Sequence, residues 1–171
     1  MTRATKLTVL AATLLLSIGG GIAAAQVAGA TAWTTDFRGP GMCLDVVNGG
    51  PDDRMTHLVP CGAFTGQRWS TASVAGGWTT LTTEFRGPGM CLDIVNGGPD
   101  DGYTRLEPCG NFSGQHWHLR PEAGGAVRLT TEFRGEGMCL DVVNGGPRDG
   151  YTHLTPCGAF TGQLWHAQRP R

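Results

Sequence analysis

The side chains able to do chemistry in this chain come in threes. Asp45, Asp93 and Asp141 stand 48 residues apart, each preceded by Cys-Leu. Gln67, Gln115 and Gln163 recur at the same interval, each two residues before a tryptophan. A carboxylate can accept several hydrogen bonds at once, and the glutamines are expected to be hydrogen-bonded within the fold. Catalysis needs a nucleophile or an acid–base pair set asymmetrically in a cleft, and no such residue stands outside the repeat. Adjacent carboxylates such as Asp52 and Asp53 fall in the Gly-Pro-rich stretch Asn48-Gly-Gly-Pro-Asp-Asp53 and read as solvated turn formers. The expectation is a protein that binds rather than one that makes or breaks bonds, with no cofactor.

Six cysteines form the second chemical set: Cys43 and Cys61, Cys91 and Cys109, Cys139 and Cys157. They could pair in fifteen ways, but each copy of the repeat holds two. Pairing within copies is the one scheme that keeps the threefold symmetry and closes locally. Each bridge closes a loop of about 18 residues, worth roughly 3 kcal/mol in the chain-entropy model. A metal site is not expected, because there is no Cys-x-x-Cys and no histidine recurs in register in all three copies.

The elements that must position these residues also repeat. Thr35-Asp-Phe-Arg-Gly-Pro-Gly-Met-Cys-Leu-Asp45 returns as Thr83 to Asp93 and as Thr131 to Asp141. The interval of 48 holds through Trp69, Trp117 and Trp165. In the first copy, strands are expected around Trp33–Phe37, Cys43–Val47, Thr56–Val59 and Gln67–Trp69, divided by Gly, Pro, Asn and Asp turns. No sustained apolar period of 3.6 occurs, and 28 glycines argue against helices. The class is all-β. A propeller normally needs at least four blades, and an open solenoid leaves edges that need caps. Three four-stranded units (about 33–80, 81–128 and 129–171) can instead close on one another as a β-trefoil with pseudo-threefold symmetry. The repeated Trp, together with Phe37, Phe85, Phe133, Met42, Met90 and Met138, is expected in the core.

Cys-Leu-Asp near the start of each unit and Gln-x-Trp at its end (Gln67-Arg-Trp69, Gln115-His-Trp117, Gln163-Leu-Trp165) resemble the ricin B-chain type of β-trefoil lectin. The resemblance implies up to three equivalent sugar pockets, hence glycans or polysaccharide as partners. It also implies that Asp45, Asp93 and Asp141 accept hydrogen bonds from adjacent sugar hydroxyls while Gln67, Gln115 and Gln163 support them. The position that often carries a sugar-binding Gln holds His57, Arg105 and His153. Where the family often has a stacking aromatic, two residues before the second Cys, the chain has Val59, Glu107 and Thr155. Where an Asn commonly precedes Gln-x-Trp, it has Gly66, Gly114 and Gly162. Tyr103 and Tyr151, with Met55 at the matching place, are expected to replace the missing platform, which would make the first site the weakest. Phe64, Phe112 and Phe160 are the other candidates. The competing reading is a protein-binding trefoil such as a secreted protease inhibitor. Near-identical loops argue against it, since one loop engaging one active site gains nothing from triplication.

Residues 1–32 read as a signal peptide. Arg3 and Lys6 precede an apolar run from Leu7 to Ile18, and small-residue cleavage candidates end at Ala25, Ala30 and Ala32. The run is too short to span a bilayer, so the mature chain is expected to be secreted, without membrane insertion. From Trp33 onward there are eleven arginines, no lysine and fourteen carboxylates, a net charge of −3. Such a surface lacks the basic stripe that nucleic acid requires.

Overall fold

Threonines, aliphatics and aromatics flanking each glycine-rich turn form twelve short strands. The computed structural model describes residues 29–171. The charged start, the apolar run and the cleavage candidate at Ala25 therefore lie outside the described residues. The first copy holds β1 (Ala32–Thr35), β2 (Met42–Val46), β3 (Thr56–Pro60) and β4 (Trp69–Ser73). The second holds β5 (Thr79–Thr83), β6 (Gly87–Ile94), β7 (Thr104–Pro108) and β8 (Trp117–Pro121). The third holds β9 (Val127–Thr131), β10 (Gly135–Val142), β11 (Thr152–Pro156) and β12 (Trp165–Gln168).

All pairings are antiparallel. The first and fourth strands of the copies make a ring: β1 pairs with β12, β12 with β9, β9 with β8, β8 with β5, and β5 with β4. Thr31 and Trp69 exchange backbone hydrogen bonds of 2.7 and 2.8 Å and close it. That contact repeats Thr79 with Trp117 and Val127 with Trp165, so the repeat's pairing reaches back to Thr31. The second and third strands form hairpins, β2–β3, β6–β7 and β10–β11, that meet around the axis. There the Thr56, Thr104 and Thr152 hydroxyls lie 2.5 Å from one another and are fully buried. The architecture is a β-trefoil.

Trp69, Trp117 and Trp165 have no exposed surface and join ring to hairpin, since each indole N–H donates to the carbonyl of Leu44, Leu92 or Leu140 at 2.9 Å. Leu44, Leu58, Leu81 and their equivalents fill the space between. Phe37, Phe85, Phe133 and the repeated methionines pack against this core only in part, which frees the phenylalanines for a second task described below. Cys43–Cys61, Cys91–Cys109 and Cys139–Cys157 are bonded, with Cα atoms 4.9–5.0 Å apart. Gln67 does not lie on the fourth strand as its neighbours suggested. It ends a 3-10 turn, Thr65–Gln67, and β4 starts at Trp69, because its side chain turns inward toward Asp45.

Candidate functional site

Each Cys-Leu-Asp ends the outgoing strand of a hairpin, and each Gln-x-Trp follows the returning one, so the two motifs meet. Gln67 is buried and spends its whole amide locally. Its Nε2 donates to Asp45 Oδ2 at 3.0 Å and to the Pro60 carbonyl at 3.1 Å, and its Oε1 accepts from the Gly62 N–H at 2.8 Å. Gln115 and Gln163 do the same for Asp93 and Asp141. The other carboxylate oxygen accepts the N–H of the next residue (Val46, Ile94 or Val142) at 2.7 Å. The aspartates are thus fixed in orientation, and both oxygens retain acceptor capacity. The glutamines are positioning residues.

Gly66, Gly114 and Gly162 explain the missing Asn. A Cβ at these positions would lie 2.0, 2.2 and 2.1 Å from the Oδ1 of Asp45, Asp93 and Asp141, so only glycine lets the turn run against the carboxylate. Beside each aspartate is an open cavity. The first, of about 230 Å³, is lined by Asp45, Val46, Asn48, Phe64, Thr65, Gly66 and Phe85. The second, of about 370 Å³, has the equivalents Asp93, Asn96, Phe112 and Phe133, and the third, of about 310 Å³, has Asp141, Asn144, Phe160 and Phe37. Phe64, Phe112 and Phe160 are 59, 59 and 58 % exposed, the large hydrophobics most open to solvent among the described residues.

The far wall always comes from the following copy: Phe85 for the first cavity, Phe133 for the second and Phe37 for the third. Each wall ring carries an arginine over it, Arg86, Arg134 or Arg38, at 4.5–4.6 Å from the centroid. Each arginine then pairs with the turn aspartate of the preceding copy: Arg86 with Asp53 and Arg134 with Asp101 at 2.6 Å, Arg38 with Asp149 at 2.5 Å. Those aspartates accept the N–H of Gly49, Gly97 or Gly145, which, more than the arginines, holds their carboxyls below the usual range.

The cavities bring together neither the tyrosines nor the residues at the Gln position. His57, Arg105 and His153 lie across the hairpin from Asp45, Asp93 and Asp141. Burial pushes His57 and His153 down, against the opposing pull of Asp45 and Asp141. Tyr151 packs on His57 and Tyr103 on His153, each with ring centroids 5.6 Å apart. Each tyrosine therefore serves a neighbouring copy rather than standing over its own aspartate. Met55 is the matching neighbour of Arg105, so this asymmetry falls on the second copy, not the first. Desolvation raises Asp93, and the nearby charge of Glu107 adds to it. Asn48, a turn residue by sequence, and its equivalents Asn96 and Asn144 line the cavities as well. Their unbroken recurrence beside a recurring, solvent-facing Phe was the available signal.

A ricin-type beta-trefoil lectin domain-like family model matches residues 65–157, more than half of the chain. The chain belongs to this family of carbohydrate-binding domains. No curated protein matches it. Among solved structures, a ricin B-like lectin from Macrolepiota procera in complex with lactose is 22 % identical, with a TM-score of 0.60, covering 82 % of this chain and 94 % of that one. The designed threefold-symmetric protein ThreeFoil is 21 % identical with a TM-score of 0.63, covering 80 % of this chain and 96 % of that one. An exo-β-1,3-galactanase from Clostridium thermocellum is 20 % identical with a TM-score of 0.68, over 82 % of this chain and 30 % of that one. A mosquitocidal holotoxin is 11 % identical with a TM-score of 0.70; this chain covers 82 % of its own length there but spans only 17 % of the toxin. These likenesses establish the fold.

Proposed function

We propose that the chain is a secreted, trivalent sugar-binding module without covalent chemistry. The observation that carries this reading is the triple cavity in which a fixed carboxylate, a side-chain amide and an outward-facing phenylalanine converge. A sugar ring lays its C–H face on Phe64, Phe112 or Phe160, while its hydroxyls donate to the aspartate and exchange hydrogen bonds with Asn48, Asn96 or Asn144. Shallow sites of this kind bind weakly one at a time and gain through simultaneous engagement of a branched or repeating glycan. His57, Arg105 and His153 act from behind the aspartates, and Tyr103 and Tyr151 from behind the histidines.

Covalent catalysis finds little support. Both adjacent carboxylate pairs are held by arginines: Asp52 by Arg148 at 3.1 Å and Asp53 by Arg86 at 2.6 Å, Asp100 by Arg148 at 2.8 Å and Asp101 by Arg134 at 2.6 Å. Three disulfides suit an oxidising, extracellular setting. Cleavage of the leader at Ala25 or Ala30 leaves Thr31 in place to close the ring, whereas cleavage at Ala32 removes it.

A glycan array with the refolded mature chain, repeated on Phe64→Ala/Phe112→Ala/Phe160→Ala, tests the proposal. The wild type should retain one class of glycan, and the triple variant should lose it with an unchanged melting temperature. Full binding by the triple variant would refute the assigned platform.

A further inference from the structure

The lining of the second cavity differs from the others at three positions: Ile94 replaces a valine, Ser113 replaces a threonine, and one change, Asn111, alters the chemistry. Asn111 stands where the third cavity has Ala159 and the first copy has Ala63. The residue is exposed, and among the described residues its carboxamide makes no hydrogen bond within the protein, so the N–H donors and the carbonyl acceptor of this lining side chain remain free for a ligand. It sits next to the exposed Phe112, and although asparagine is larger than alanine, this cavity is the most spacious of the three, about 370 Å³ against 310 and 230 Å³.

We infer that the second site selects a hexose carrying an acetamido group, with Asn111 as its specificity-determining residue. This rests on the sugar-binding reading above. A sugar hydroxyl is already served by Asp93 and Asn96, and adding an amide to them lengthens the polar edge of the cavity. An acetamido substituent matches that edge: its carbonyl accepts from the Asn111 N–H, or its N–H donates to the Asn111 carbonyl. Its methyl group has the Phe112 ring to rest on, and its bulk needs the larger space. The first and third sites offer a methyl group at the same place and so gain nothing from the substituent.

Site-resolved titration of the 15N-labelled mature chain tests this. The amides of Gly66, Gly114 and Gly162 report the first, second and third sites, and N-acetylglucosamine and N-acetylgalactosamine are compared with glucose and galactose. At Gly114 the acetamido sugars should bind roughly two- to tenfold more tightly than their hydroxyl counterparts, the net worth of one hydrogen bond. At Gly66 and Gly162 the ratio should be near one. Asn111→Ala should bring the ratio at the second site to that of the other two, and Ala63→Asn should raise it at the first. A preference that survives Asn111→Ala, or one shared equally by all three sites, overturns the inference and leaves sugar binding standing. No response at any of the three glycines to any of the four sugars overturns both.

Discussion

The rim of the molecule and its axis obey different rules. Around the rim the copies share one framework: aspartate, asparagine, glycine, two phenylalanines, and an arginine paired with the turn aspartate of the copy before it, with Asn111 as the one change of chemical character. Around the axis they disagree. Equivalent positions hold Asp52, Asp100 and Arg148, then Met55, Tyr103 and Tyr151, then His57, Arg105 and His153. The physical reason lies in who meets whom. At the rim a residue of one copy faces a different residue of the next, so Arg86 with Asp53 can be repeated three times without conflict. Nearer the axis some residues approach their own equivalents, as Arg148 does Asp52 and Asp100 and as the three threonines do. Three identical charges would repel there, so charge is tolerated only where the repeat is broken. Arg148 lies between Asp52 at 3.1 Å and Asp100 at 2.8 Å, its guanidinium over both Tyr103 and Tyr151. Glu107 likewise sits between Arg54 and Arg105. The position that does stay identical, Thr56 with Thr104 and Thr152, carries a hydroxyl that can both donate and accept.

The harshest test of the rim's equality removes its staples. Replacing one disulfide pair by serines should cost about 3 kcal/mol in chemical denaturation, and the same in each copy. A clear inequality among the three would break the claim that the rim is uniform. Reduction of all three should unfold the domain at moderate temperature, since their sum rivals a domain's whole stability.

The axis rule is sharpened by Arg148→Asp, which restores the repeat and gathers three carboxylates. The site is about 29 % exposed, so a loss of about 2 kcal/mol is expected, partly recovered by salt. Arg148→Met should cost less, and an equal cost for both would show that charge is not the issue. Gly66→Ala probes the rim again, because its Cβ must displace the Asp45 carboxylate. Calorimetry should then report two binding equivalents instead of three, with a stability loss of about 1 kcal/mol.

Acidification gives the smallest effect, and its sign separates the copies. Burial places the folded pKa of His57 and His153 below the unfolded value of 6.5. The unfolded chain therefore takes up protons first as pH falls below 6.5, and stability declines until the folded histidines also protonate. Asp93 is raised above 3.8, so its folded form binds protons first and opposes the decline at lower pH. Melting curves at pH 7 and pH 5 should show a smaller drop for His57→Gln/His153→Gln than for the wild type.

Much of this was legible in the sequence, and what was not has one cause. The interval of 48, Cys-Leu-Asp and Gln-x-Trp define strand count, symmetry and the alignment of Asp45 with Gln67, because those contacts lie within a copy. For contacts between copies the interval shows which residues recur but not which residues of a neighbouring copy they meet. Nothing in the linear order says that Tyr151 meets His57 of the first copy, or that Phe85 walls the first cavity. The displacement of Gln67 from the expected strand into a turn follows from the same limit: a side chain drawn beneath a carboxylate 22 positions away overrides the local extended pattern. Phe64, ranked after the tyrosines as a platform, has a local signal of its own: its flanks, Cys-Gly-Ala before it and Thr-Gly after it, offer no large hydrophobic neighbours to bury it with.

The walls borrowed from the next copy make the number of repeats and the number of complete pockets different quantities. A fragment of one copy holds no complete pocket, a fragment of two holds one, and three hold three only because Phe37 and Arg38 of the first complete the last. Losing a repeat by gene deletion would thus cost two pockets at once. Circular permutation has no such penalty: with β1 lying against β12, the two chain ends can be linked and the ring reopened at the Ala75–Gly77 or Ala123–Gly125 turn with every pocket preserved. A repeat protein of this kind can change where it starts far more easily than it can change how many units it has.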